Sequence, residues 1–536
     1  MAIERWNPPQ ACTRQEQFIL KRLKRTGRLF AFLRLHRHEL FDEAFQAELE
    51  SMYRATGAGD APKPPALLAM VVLLQSYHGA SDASAVELAL LDLRWQMVLG
   101  CLGATEPVFS QGGLVEFRER LIRTNLDRRL LERTVELARS SKEFDWRKLP
   151  KTLRVAMDSS PLVGAGRVED TINLLAHAGQ TIVACVAGLL GWTEERVCRE
   201  AGIPLLLESS VKKALDLDWS DPEEKADAVP RLTEQLTCLE RWVSRRLPEE
   251  LKRPPLKEHV ETLRQLVDQD LEPDPSGGGL RVREGVAEDR RISIEDKEMR
   301  HGRKSKSKRF NGYKRHLGID LETFLTLACA ITPANRPEEE AVADLAMDIR
   351  AVAGEIDELY IDRGYINAPL IDEILARRGA VVCRPWISRN GKLFAKHAFT
   401  INMRDRTITC PAGQQERFQL GSTVEFSPAV CGDCPLRSKC TNAAPGRGRT
   451  VAIAENEQLQ HRLRKQAASS GGRARLRQRV PVEHRLAHTS RRQGRRARYV
   501  GTRKNLFDLR RASAIGNLEI LQRRALAVTA TLARAA

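Results

Sequence analysis

The chain has 536 residues, 42% of them apolar, and carries a net charge of +17. That length exceeds one ordinary core, so two to four structural units are expected, and the apolar share excludes a disordered chain. No stretch approaches the roughly 18 to 20 uncharged apolar residues of a membrane span, the longest being 66–74, and MAIERWNPPQ lacks an apolar signal core, so a cytoplasmic chain without a membrane partner is expected.

Residues 1–145 read as helical. Pro64-Pro65 precede a helix over 66–77, Gly79 stops it, and Ser81 or Asp82 caps the next over 83–93. A further helix spans about 114–140. Helix, glycine turn and helix together are compatible with DNA recognition and equally with ordinary helix packing.

From Thr152 a strand leads to Asp158, followed by the glycine-containing loop Val163-Gly-Ala-Gly-Arg. Residues 186–272 read as wholly helical and end at the breaker Pro273-Asp-Pro-Ser-Gly-Gly-Gly, which marks an insertion. A hairpin follows, 313–320 and 324–332. Pro337-Glu-Glu-Glu opens a helix to about 354, with its acids as first-turn residues. A strand over 358–361 delivers Asp362, Gly364 permits a tight turn, a helix runs over 367–378, and 380–384 is another strand. Strand, hairpin, helix, strand, helix, strand is the order of a ribonuclease-H-like α/β core. An insertion over 391–450 and arginine-rich helices complete the chain.

Three acids stand where metal-dependent phosphoryl transfer needs them. Asp158 and Asp362 end apolar runs, so both are expected at the carboxyl ends of buried strands, and Glu483 lies in a helical arginine-rich segment. Such carboxylates can hold a pair of magnesium ions. Glu169 and Asp170 compete as ligands but read better as a helix cap at Thr171. Four cysteines cluster as Cys410, Cys431, Cys434 and Cys440, the spacing of a structural zinc site, with a reduced, metal-free knuckle as the alternative. The other seven are scattered in apolar settings. Two basic runs flank the acids: 300–316 holds eight Lys or Arg and no acid, and 446–511 holds 19 against four acids. Placed beside the acids, they suggest a polyanion track.

These residues resemble the DDE transposases of bacterial insertion sequences. The resemblance rests on PPALLAMVVLLQSYHGASDASAVELALLDLRWQMVLG, MDSSPLVGAGRVEDTINLL, HGRKSKSKRFNGYKRH, ITPAN, YIDRGY, the cysteine cluster, and EHRLAH with RRARYVGTRKNLFDLRRASAIGNL, in that order. It implies an α/β, RNase-H-like catalytic core (150–185, 291–390 and, carrying the third acid, 451–536). A helical N-terminal domain (1–145), an all-helical insertion with its linker (186–290) and a small Cys-rich insertion (391–450) would accompany that core. It also implies Asp158, Asp362 and Glu483 as the catalytic triad on Mg2+, with double-stranded DNA, terminal inverted repeats and target, as partner of a homodimer or higher multimer at the nucleoid. Many relatives set a tyrosine and an arginine before the glutamate and a lysine after it. Arg479 fits, whereas Leu476 and Ser490 replace the other two and Arg491 and Arg492 are candidate substitutes. Glu455, Glu457 and Glu519 are alternative third acids. The backbone contacts expected are Arg303, Lys304, Lys306, Lys308, Arg309, Lys314, Arg315, Arg479, Arg491, Arg492, Arg495, Arg496, Arg498, Arg503 and Lys504. A nuclease or resolvase without strand transfer, or a zinc-stabilised DNA-binding regulator, are the alternative functions.

Overall fold

A computed structural model describes residues 3–53, 61–141, 144, 147–275, 277, 279–305 and 307–535. Lys306 of the first basic run, and Ser276 and Gly278 of the breaker, lie outside them. The chain is mixed α/β with a helical N-terminal region. There, helix α1 (Pro65–His78) is buried on nearly every side and ends at Gly79 in the left-handed region, φ 69°. Ser81 caps the following helix by accepting from Ser84 N–H. The single helix expected over 114–140 is two, Gln111–Thr124 and α2 (Asp127–Ser140), because Asn125 turns the chain at φ 60°. An asparagine tolerates that conformation where most residues do not.

The central sheet is built from β1 (Arg154–Val163), β2 (Arg300–Arg303), β3 (Arg309–Asp320), β4 (Thr326–Pro333), β5 (Glu358–Tyr360) and β6 (Ala380–Val382). β3 pairs antiparallel with β1 on one edge and with β2 and β4 on the other, while β5 lies parallel to both β1 and β6. Helix α6 (Val342–Ala353) covers one face, and Gly318 of β3 leaves room for its Ile349, whose Cδ1 lies 2.8 Å from where a Cβ would be. Helix α7 (Leu370–Ala376) packs against β5 and β6, and helix α8 (Val480–Gln493) against β1 and β3.

Between β1 and β2 lies a separate helical unit with its own core, built around α3 (Thr171–Leu190), α4 (Pro222–Arg246) and α5 (Leu256–Asp270). Asp170 caps α3 by accepting from Asn173 N–H, so the helical insertion starts at 171, earlier than the sequence suggested. By length and composition α3 could cross a membrane, contrary to the expectation that no stretch is long and apolar enough. Ile172, Leu175, Ile182 and Val186 are buried in this unit's core. A smaller core of Phe399, Ile408, Phe418, Val424 and Phe426 supports short strands between residues 400 and 452.

The helix α9 (Thr502–Ala535) joins the N-terminal helices to the sheet, packing on α1, α2 and β4. Asn517 donates to Thr134 Oγ1 and to Thr326 O, both at 2.9 Å, and accepts from Thr326 N–H at 2.8 Å. Arg510, 4% exposed, bridges Asp127 at 3.1 Å and Asp348 at 3.4 Å, uniting α2, α6 and α9. Removing one member of such a buried cluster leaves uncompensated charge. Arg510→Ala should therefore lower the unfolding free energy by about 3 to 5 kcal/mol in chemical denaturation; a loss below about 1 kcal/mol would show that the cluster is solvated.

Candidate active site

The three acids reach one place by a register argument. β1 pairs with β5 as Arg154 with Glu358, Val155 with Leu359 and Ala156 with Tyr360. Continuing that parallel register by two residues sets Asp158 beside Asp362, on the same face as Ala156 and Tyr360. Asp158 is not at a strand end as expected: β1 runs on to Val163, held by β3, and only the pairing with β5 stops before it. Asp362 does follow its strand, and its Oδ1 accepts from Gly364 N–H at 2.8 Å to start a short 3-10 turn. Glu483 lies in the first turn of α8.

All three line one cavity of about 500 Å³, together with Ser159, Glu338, Arg303, Lys304, Lys314 and Arg479. Arg479 bridges two of the acids, donating to Asp158 Oδ2 and to Glu483 Oε1, each at 2.8 Å. It is the cation nearest the cluster. Burial raises the Asp158 carboxyl to about 6; the Arg479 charge and the Ser159 N–H oppose the rise, while Asp362 and Glu338 add to it. Burial, then Asp362, likewise raises Glu338. Behind the cavity His316 is fully buried, between Tyr365 OH at 2.8 Å and Thr332 Oγ1 at 2.9 Å, and burial pushes it down to about 3. It is a neutral strut, and no titrating base.

The alternative third acids are engaged elsewhere or sit apart. Glu457 is buried and ion-paired to Lys396 and Arg464, and Glu519 is bound by His488 and Arg492. Glu455 lies beside Gly421. Glu169 pairs with His177 in the helical unit.

The basic residues divide. Arg303, Lys304, Lys308, Arg309, Arg491, Arg495, Arg496, Arg498 and Lys504 are exposed, and Lys314 is partly so, reaching Arg336 O at 2.6 Å. Of the expected backbone contacts, Arg315 is an internal strut, and Arg492 and Arg503 are partly exposed but engaged by protein partners. Arg315 is 1% exposed and donates to Pro161 O and Gln493 Oε1; Arg492 reaches Tyr77 O and Glu519; Arg503 reaches Ile122 O and Asp127. Strand alternation contained the signal for Arg315, since Lys314 and Arg315 must face opposite sides of β3. A second cavity, missed in the sequence, gathers Arg363, Arg384, Arg464, Arg473 and Arg477 around a partly exposed Trp386.

The cysteine expectation is corrected. Cys410, Cys431, Cys434 and Cys440 line one small void and are free thiols. Yet among the described residues no group of three or more His, Cys, Asp or Glu is placed to hold a metal ion, so the geometry does not support zinc. Three of these thiols pack on the apolar core of the small β unit, and burial raises Cys440. The same statement covers the acidic cavity, where Arg479 lies between Asp158 and Glu483.

Residues 285–515 match the family model described as Transposase DDE domain, and residues 22–120 match that described as Transposase domain (DUF772). No curated protein and no solved structure matches the chain.

The raised Asp158 carboxyl has a measurable sign. The folded protein holds this proton more tightly than the unfolded chain, whose Asp titrates near about 4, so the associated stability is full below about pH 4 and is lost as pH rises through about 6. In metal-free buffer, the stability of Asp158→Asn relative to the native protein should therefore climb between pH 4 and 6.5, by at most about 3 kcal/mol. A difference independent of pH would contradict this placement.

Proposed function

Because this chain belongs to the DDE transposases of insertion sequences, enzymes that cleave and transpose DNA, we propose that Asp158, Asp362 and Glu483 are its catalytic acids and magnesium their cofactor. The observation that carries the reading is that Asp158, Asp362 and Glu483 line one cavity, the two aspartates each lying two residues beyond the last pair of the β1–β5 ladder. Carboxylate oxygens are the hard donors that magnesium takes, so the donor set fits the ion. Two magnesium ions, when bound, polarise a scissile phosphate and activate water or a 3′ hydroxyl. An antiparallel meander continued by two parallel strands supports an RNase-H-like core.

The protein's own residues carry the remaining work. Arg479 pairs with Asp158 and Glu483; were a cation to take those carboxylates, its guanidinium would be free to bind phosphate through two hydrogen bonds. Arg303, Lys304 and Lys314 line the same cavity and offset phosphate charge at the cut. Arg491, Arg495, Arg496, Arg498 and Lys504 are exposed on and after α8, and Lys308 and Arg309 at the start of β3, to track the backbone on either side. The duplex would be the element's terminal inverted repeats and then the target, with 3′-end hydrolysis followed by strand transfer at one site. Binding as a dimer or larger assembly belongs to this reading.

Asp158→Ala should retain binding to an end-containing duplex and lose cleavage and joining in magnesium; cleavage surviving in this variant would reject the assignment. Arg495→Ala should lower the slope of log binding constant against log salt by about one unit for any sequence. Arg315→Ala should instead lower the melting temperature, because its partners are inside the protein.

A further inference from the structure

We propose that Glu338 is a fourth carboxylate of the catalytic cluster, binding the site's divalent cation from the sheet face opposite to Glu483. The proposal rests on the reading above, and concerns a residue that the sequence presented only as one of three first-turn acids.

Position comes first. Asp158 pairs with Leu317 and points to the face covered by α8, where Arg479 and Glu483 lie. Ser159 and its partner His316 alternate with Asp158 and Leu317 along their strands and so point the other way, to the face of Gly318 and α6. Glu338 begins the 3-10 turn Glu338–Ala341 that leads into α6. From there its carboxylate reaches over the end of the sheet, and Ser159 Oγ donates to its Oε1. Asp362, just past the end of β5, is reached from both sides.

The fit is close at Gly364. A Cβ there would lie 2.1 Å from Glu338 Oε2 and 3.2 Å from Asp362 Oδ1. The space of a missing side chain is thus what allows the Glu338 carboxylate to sit against the Asp362 turn. Gly364 was expected to serve the turn through backbone freedom, but its conformation lies outside the positive-φ region.

Charge balance supplies the second, independent argument. Most other buried acids have an ion-paired cation: Asp127 has Arg503 and Arg510, Glu457 has Lys396 and Arg464, Glu16 has Arg34, while Asp296 is held by the Tyr313 hydroxyl and the N–H groups of Glu298 and Met299. Among the described residues no Lys, Arg or His forms an ion pair with Glu338 or Asp362. Arg363, next to Asp362 in the chain, turns away to donate to Pro385 O at 2.9 Å, and Lys314 is bound to Arg336 O. Two partly buried carboxylates pressed together with no ion-paired cation of their own, and with only the through-space charge of Lys314 on Glu338, leave a place for a further positive charge at the wall of an open cavity. A hard divalent cation with oxygen ligands supplies it.

The test uses the full-length protein without DNA, stripped of metal, with Mg2+ or Mn2+ titrated in while melting temperature and Mn2+ binding are followed. Glu338→Gln keeps the shape and the hydrogen bond from Ser159 and removes the charge. It should melt at a higher temperature than the native protein in EDTA, since a like-charge contact is relieved, and bind Mn2+ about tenfold or more weakly. Glu338→Asp, which keeps the charge but withdraws it, should fall between the two and serves if the first variant does not fold. In cleavage assays the metal concentration for half-maximal rate should rise, with part of the rate recovered at saturating metal. Native Mn2+ affinity in Glu338→Gln, alongside its loss in Asp158→Asn, would overturn the proposal while leaving the catalytic assignment standing. Absence of any metal response in the native protein would overturn both.

Discussion

The site depends on the register of one strand. β1 is clasped along its length by β3 and, over three residues only, by β5, so its position is set from two sides with opposite strand polarity. A slip of one residue would turn Asp158 to the other face and put Ser159 toward Arg479. That slip is costly because both faces of β1 are packed: Val155, Ala156, Met157 and Leu162 are all buried and would each meet the wrong neighbours. The long pairing with β3 fixes Asp158, and the short pairing with β5 lets the chain diverge where a cavity is needed.

Rigidity behind the cavity comes from a different kind of contact. Arg510, Asp127 and Asp348 join three helices in a buried charge cluster, and Asn517 ties α9 to the first residue of β4. Arg485, 7% exposed, adds a bond from α8 to Gly516 O. These contacts hold α8, and with it Arg479 and Glu483, at a set height over the sheet. Mutual satisfaction of internal charges thereby positions the charges left unsatisfied at the surface.

Positive charge is used in two ways. Part of it, Arg315, Arg485 and Arg510, is buried inside the protein on carbonyls and acids, while Arg303, Lys304 and Lys314 line the acidic cavity. Arg479 has a feature of each group, since it is bonded to two acids yet lines the cavity. Such a residue can exchange carboxylate partners for a phosphate without a change in the fold, because both anions accept from the same planar fork.

Local patterns in the chain sufficed for the elements themselves. Apolar runs marked β1 and β5, alternation marked the β3–β4 hairpin, and Gly79, Ser81 and Asp170 marked helix ends, since these signals arise from a few neighbouring residues. The sequence also singled out Asp158, Asp362 and Glu483 and grouped the four cysteines. What it left open was every choice that depends on a distant partner. Whether an arginine faces solvent or an internal carbonyl, as with Arg315 against Lys314 or Arg503 against Lys504, is decided by contacts across more than a hundred residues. Glu338 was indistinguishable from an ordinary first-turn acid until the fold set it against Gly364, and the cysteine spacing suggested a metal that the arrangement of the thiols among the described residues does not support. The chain alone determined which residues could form strands, helices and charged runs; only packing decided which charges meet, because electrostatic partners are chosen by distance in space and not along the sequence.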